Sequence, residues 1–341
     1  RDEDSKLSNI LLARLPAGLD PSKVAGRAID TARGWLKQQS AAALEKWQQA
    51  GVSVRSDLWH LQVDDALEAY AAWAVLNDAE AGYRTAYENL KAAFAARKNT
   101  RDFSPMRLPD PKLGQAPKNS FDGLRESVLP ESIPALARRR FGLSQGEQLD
   151  ALGAIKRVVG RRERFTALTR LAAHDWLEAL DPEARSSLAG VYAPLVDLDL
   201  ATRANGPAFA SFTFDAGLIY PERLARAKND AQDDPEALAA LARLEEALRP
   251  LWRKHGRPNP YAALVVADGD KMGAFVDKAR TAADHAEITR AVAGFADQVP
   301  DIAAGHDGQS VFNGGEDLTV MLPLSRVIEG ARELAQSFNA A

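Results

Sequence analysis

The chain contains no cysteine, which excludes disulfides, thiolate zinc sites and cysteine nucleophiles together. With no signal peptide either, the expected location is cytoplasmic. Long apolar runs are missing too. None approaches the roughly 20 residues needed to cross a bilayer, so no membrane partner is expected. Charge of one sign is not in excess, because 43 basic residues against 47 acidic ones leave a net −4. Any contact with nucleic acid must therefore come from local patches. What remains is ordinary globular material, 46% hydrophobic and 26% charged over 341 residues. This excludes disordered, collagenous and coiled-coil chains and suggests about two domains. The sequence opens on Arg1 rather than Met and stops inside the helical pattern Ser325 to Ala341, which reads as a fragment.

Along the chain, Asn9 to Leu15 is a short apolar run closed by Pro16 and reads as a strand. Asp20-Pro21 then opens a helix, with Asp as N-cap and Pro at the first helical position, ending near Gly51. Leu58 to Leu76 is ambiguous: its Ala and Glu favour helix, while Leu61-Gln62-Val63 alternates like a strand. From Asn99 to Pro134 frequent Pro and Gly leave little room for regular structure. Residues 135–251 carry mostly helical patterns, except Phe209 to Phe214, whose period-two alternation predicts a strand.

After Pro260 the pattern changes. Tyr261 to Ala267 reads as a buried strand, followed by Asp268-Gly269-Asp270-Lys271-Met272-Gly273 and a helical stretch through Arg280. A second helix covers Ala286 to Val299. A hairpin then joins Ser310-Val311-Phe312 to Leu318-Thr319-Val320-Met321-Leu322 through the turn Asn313-Gly314-Gly315-Glu316-Asp317. The order β, α, β, β, α is most of a ferredoxin-like βαββαβ unit without its last strand.

In such a sheet the first strand lies beside the hairpin, so the two acidic turns converge. Asp268, Asp270, Glu316 and Asp317 would form a hard-oxygen cluster suited to Mg²⁺ or Mn²⁺. Two such ions can activate a 3′-hydroxyl, neutralise a triphosphate and stabilise departing pyrophosphate. Gly314 and Gly315 remove side chains where a nucleotide approaches the backbone. The amides of Lys271, Met272 and Gly273 sit at a helix start, where phosphate binds readily. Either turn alone could equally be a plain structural connection.

The strings Val265 to Gly273 (VVADGDKMG) and Asn313 to Leu318 (NGGEDL) resemble the catalytic palm of a known family: the large polymerase-cyclase subunit of type III CRISPR-Cas effector complexes, Cmr type. Ala96 to Phe103, Asp122 to Pro130, Leu149 to Arg157 and Leu218 to Leu224 resemble further segments of that subunit in the expected order. The resemblance implies an α+β chain of ferredoxin-like palm domains joined by a mainly helical region. Residues 1–90 would be the second half of a first, non-catalytic palm, so Leu58 to Leu76 would hold its last strand. Residues 91–134 would be a Pro/Gly-rich connecting loop and 135–256 a helical middle domain. Residues 257–341 would be the second, catalytic palm, incomplete at its end.

The resemblance also implies ATP as substrate and cyclic oligoadenylate as product. Guide CRISPR RNA, target RNA and other type III effector subunits would be the partners. It implies catalytic and metal roles for Asp268, Glu316 and Asp317, metal contacts at Gly269 and Asp270, and nucleotide contacts at Lys271, Met272, Gly273, Asn313, Gly314 and Gly315. Three departures stand out. The family's Gly-Gly-Asp-Asp is here Gly314-Gly315-Glu316-Asp317, which moves one carboxylate outward by a methylene. The cysteines with which relatives bind zinc are missing, so no zinc is expected. The N-terminal HD nuclease module is absent from this sequence. An alternative is a scaffold subunit of the same RNA-binding complex whose altered site no longer turns over.

Other signals are weaker. Arg138, Arg139 and Arg140, with Arg161 and Arg162, form a basic cluster that would give sequence-independent affinity for RNA, or simply a solvated helix surface. The doublets His174-Asp175 and His306-Asp307 are expected on exposed surface, since further ligands for a metal-dependent phosphohydrolase are missing.

Overall fold

The computed structural model describes residues 10–76, 82–100, 108, 110–160 and 166–340. It is a mixed α+β structure that divides into two compact units: Ala13–Gly160, and Arg161–Ala341 with Arg1–Leu12.

The first unit holds helices α1 (Pro21–Gln49), α2 (Ser56–Asp64), α3 (Gly82–Asn99), α4 (Ala135–Phe141) and α5 (Ala151–Val159). α1 starts where its sequence predicts, with the Asp20 side chain accepting from the Ser22 amide and Pro21 needing no partner. Trp47, Leu58, Trp59, Leu129 and Leu149 are fully buried in its core. Both indoles satisfy their polar edge: Trp47 Nε1 donates to the Ala154 carbonyl (3.2 Å) and Trp59 Nε1 to Ser40 Oγ (2.7 Å). Buried Gln62 donates to the Glu126 carbonyl (2.7 Å) and accepts from the Ala151 amide (2.8 Å). The described part of the Pro-rich stretch, residues 110–134, is largely irregular but locked near its end, where the Val128 amide donates to Leu149 O (2.9 Å).

Two strand expectations fail in this part of the sequence. The described part of the opening run, Ile10 to Pro16, pairs with no strand, and Leu11 stays 74% exposed. Leu61-Gln62-Val63 lies in α2, whose buried residues Leu58, Trp59, Gln62 and Val63 follow helical spacing. Residues 66–76 contain no strand either, so the last strand of a first palm is not found there.

The second unit begins with α6 (Leu168–Ala172), α7 (His174–Glu178), α8 (Pro182–Tyr192), α9 (Pro194–Asp197), α10 (Pro221–Asp230) and α11 (Pro235–His255). Their core centres on Leu177, Tyr192, Phe212, Ile219, Leu244 and Leu248. The strand expected at Phe209 to Phe214 is a turn at its start, in which the Phe212 amide donates to Phe209 O (3.1 Å), and only an isolated antiparallel bridge, Phe214 to Arg203, at its end. Phe209, Phe212 and Phe214 all face inward, and buried Arg170 Nε donates to the Phe212 carbonyl (3.0 Å). Aromatic packing produces the apolar alternation that mimics a strand.

The chain then forms β1 (Ala263–Ala267), α12 (Met272–Val276), α13 (Ala282–Gly305), β2 (Gln309–Asn313), β3 (Leu318–Leu322) and α14 (Val327–Ala340). The sheet order is β1-β3-β2, antiparallel throughout, as expected for this part of a ferredoxin-like unit. One face is covered by α13 and α14, whose Phe295, Val299, Ala303 and Leu334 pack on Leu318, Val320 and Leu322. α13 begins earlier than its apolar pattern suggests, because Thr281 and Asp284 form a reciprocal capping box. The helical stretch after Asp268 is shorter than expected and ends at Val276.

Candidate functional site

The sheet register brings the two acidic turns together. Ala267 pairs with Leu318, so one further step along the antiparallel ladder sets Asp268 opposite Asp317. The Asp317 pKa is raised, first by hydrogen bonding with the Asp268 carboxyl, then by desolvation and by the charges of Asp268 and Glu316. Both aspartates are exposed, and Glu316 is half-buried.

Glycine permits this convergence. A Cβ on Gly269 would stand 2.8 Å from Glu316 Cβ, 2.7 Å from Met272 Cγ and 3.1 Å from Phe338 Cζ. Gly315 has φ +96°, a conformation L side chains rarely adopt, and its missing Cβ would be 3.0 Å from Val292 Cγ1. The turn closes through the Gly314 amide, which donates to Asp317 O (2.9 Å).

The hairpin is also tied to the helix beneath it. Pro300 lies inside α13 and has no N–H, so the carbonyl four residues earlier, that of Ala296, loses its helical donor. Asn313 Nδ2 donates to this carbonyl. The donor of Asn313 is thus engaged in holding the turn, while its Oδ1 is enclosed without a hydrogen bond. The signal for this anchor was a proline within an apolar helical pattern, beyond the Ala286 to Val299 helix that periodicity predicts.

The remaining residues of the site fall as follows. Exposed Lys271 caps α12 in a left-handed conformation (φ +59°). α12 is only 5 residues long, so the charge of Lys271 offers phosphate more than the helix dipole does. Met272 is half-buried and packs toward Gly269, while Gly273 is exposed with open space around it. Asp270 is exposed. Among the described residues no group of three or more His, Cys, Asp or Glu is arranged as a metal cage. An exposed carboxylate pair nevertheless fits Mg²⁺, which is commonly held by one or two carboxylates while substrate phosphates and waters supply the rest.

The basic cluster is only partly described. Arg138 and Arg139 are half-buried, Arg140 is exposed, and all three lie in the last turn of α4, where cations complement the helix dipole. Arg161 and Arg162 lie outside the described residues.

The two His-Asp doublets, set aside in the sequence as surface features, meet. His174 is 5% exposed, which corrects the surface expectation, and its Nε2 lies 3.5 Å from Asp307. Asp307 also accepts from Arg326 Nε (3.1 Å), and Asp175 accepts from Ser325 Oγ (2.5 Å). This polar seam joins α7 to the corners either side of the β2–β3 hairpin. Sequence spacing gave no sign of it, because the partners are more than a hundred residues apart.

Residues 261–341 match the family model described as Cas10/Cmr2, second palm domain. No curated protein matches the chain. The match supports a Cas10-type subunit of a type III CRISPR effector complex.

Proposed function

We propose that this Cas10-type chain converts ATP into cyclic oligoadenylate within an RNA-guided type III CRISPR effector complex. Its partners there are guide CRISPR RNA, target RNA and the other effector subunits. The observation that carries this reading is the facing pair Asp268 and Asp317 at the end of β1 and β3, pressed against a glycine turn. Asp268 and Asp317, with Glu316 beside them, would hold Mg²⁺ or Mn²⁺ through hard oxygens. When bound, such ions supply activation of a 3′-hydroxyl and neutralisation of the triphosphate. Lys271 pairs with a phosphate, and Gly314 and Gly315 let the nucleotide lie close to the backbone.

The test is incubation of the assembled complex with labelled ATP, Mg²⁺ or Mn²⁺ and matched target RNA, followed by separation of products. Asp268→Ala and Asp317→Ala should each abolish ATP conversion while assembly persists. Unchanged turnover in both variants would overturn the site. Glu316, standing where the resembled family has Asp, favours one second reading, a scaffold subunit. Intact assembly without any product from the unsubstituted complex would establish it.

A further inference from the structure

We propose that Phe312 is the base platform of the nucleotide site: its ring stacks on the purine while the triphosphate sits at Asp268 and Asp317. The identity of the nucleotide rests on the function proposed above; the place of the platform rests on the sheet.

Alternation sorts the sheet residues between two faces. Leu318, Val320 and Leu322 lie under α13 and α14, with Val265 against the same core. Their neighbours in sequence turn the other way. Val266 pairs with Thr319, and Thr319 with Phe312, so these three form one row across the face away from the helices. The row is open: Val266 is 68% and Phe312 56% exposed, with Thr319 half-buried between them. The next step along both strands on this side is the aspartate pair. Gly269 and Glu316 turn toward Phe338 of α14, as the close approach at the Gly269 Cβ position requires, which leaves Asp268 and Asp317 to the open side. At about 3.4 Å per residue the row lies about 7 Å below the carboxylates, a gap that a ribose spans between base and phosphate.

The surroundings of the row favour a small flat occupant. The Phe312 ring leans toward the acidic turn, its Cζ only 2.6 Å from where a Cβ on Gly314 would stand; the glycine is what lets it reach. Among the described residues this ring stacks with no other ring and holds no cation. The far end of the same face is closed, because Met321 packs with Leu171 and Phe209, and Gln309 Oε1 accepts from the Thr166 amide (2.5 Å). What remains is a short apolar floor between that wall and the carboxylates, continuous with the candidate site. An aromatic side chain beside a phosphate-binding group suits a nucleobase, whose π-face stacks on it.

The test measures binding of ATP and of inorganic triphosphate, which lacks base and ribose, to the full chain with Mg²⁺. Phe312→Ala should weaken ATP binding about tenfold or more and leave triphosphate binding unchanged. Phe312→Leu, which keeps apolar bulk without a flat ring, should lose as much; Phe312→Tyr should retain affinity. In Phe312→Trp, ATP but not triphosphate should quench the added indole emission. Circular dichroism checks that each variant stays folded. In the assembled complex, Phe312→Ala should raise KM for ATP more than it lowers kcat. The platform would be overturned by unchanged ATP affinity in Phe312→Ala, by equal losses for ATP and triphosphate, or by ATP binding no tighter than triphosphate in the unsubstituted chain. Loss of subunit assembly in Phe312→Ala while ATP binding persists would overturn it too, and would assign the face to a protein. Failed ATP conversion alongside Phe312-sensitive nucleotide binding would reject the proposed function and leave this inference standing.

Discussion

Gly269→Ala tests whether the contact between the acidic turns matters. The added methyl would meet Glu316 Cβ at 2.8 Å, Met272 Cγ at 2.7 Å and Phe338 Cζ at 3.1 Å. Carbon atoms in good contact stand about 3.5–4.0 Å apart. Met272 can swing away, but Glu316 Cβ is fixed to the backbone of the hairpin turn, which must retreat by about 0.7 Å or more to restore that spacing. Overpacking of this kind costs about 1–3 kcal/mol of stability. A displacement near 1 Å at a reacting centre costs on the order of a hundredfold in rate. Gly269→Ala should therefore lower ATP conversion by roughly a hundredfold while unfolding only slightly earlier on heating. The control is Gly294→Ala in α13, where nothing lies within 4 Å of the new methyl. It should leave turnover intact and stabilise the helix by about 1 kcal/mol. ATP conversion by the assembled complex and thermal denaturation by circular dichroism read the two effects separately. Full turnover in Gly269→Ala would refute the idea that the turns must touch.

Further outcomes follow from other positions. Glu316→Asp withdraws one carboxylate from its half-buried place beside Gly269 and should preserve or raise product formation; complete loss would mean the site is built around the longer side chain. Burial holds the His174 pKa below its ordinary value although Asp307 pulls it up, with Arg170, Asp175 and Glu178 also acting on it. The unfolded chain then takes up that proton more readily, so stability should fall as pH drops below about 6.5. His174→Gln should flatten the dependence of the melting midpoint on pH across that range, and an unaltered slope would contradict the assignment. Trp47→Ala removes a fully buried indole whose centroid lies 3.9 Å from that of Phe141 and should cost about 3–5 kcal/mol in denaturant unfolding.

The palm was legible because its signals are local. Tyr261 to Ala267 reads as a buried strand by apolar run; β1 forms over Ala263–Ala267, but Leu264 and Val266 stay exposed, so only one face is covered, and the hairpin at the Asn313 turn forms as its alternation predicts. The meeting of Asp268 with Asp317 followed from strand order alone. Elsewhere period and packing diverge. Only Phe212 and Phe214 keep a period of two; Phe209 stands three residues before Phe212, and all three are buried around a turn, with the Phe212 carbonyl taken by Arg170 and only a single bridge from Phe214 to Arg203. Leu61 to Val63 is too short for its alternation to outweigh the helical burial of Leu58, Trp59 and Gln62. The meeting of His174 with Asp307 left no periodic trace, since a contact between a helix and a distant connection is set by tertiary packing.

The proline in α13 sets the helix and the hairpin turn against each other at a single oxygen. Pro300→Ala would restore an N–H to the helix and relieve a defect that ordinarily costs about 3 kcal/mol. The restored donor would claim the Ala296 carbonyl, and Asn313 would lose the acceptor that holds its hairpin. A better helix would then be a looser hairpin turn. Consensus-style stabilisation of this chain should therefore spare position 300, where the apparent flaw in one element is the fastening point of another.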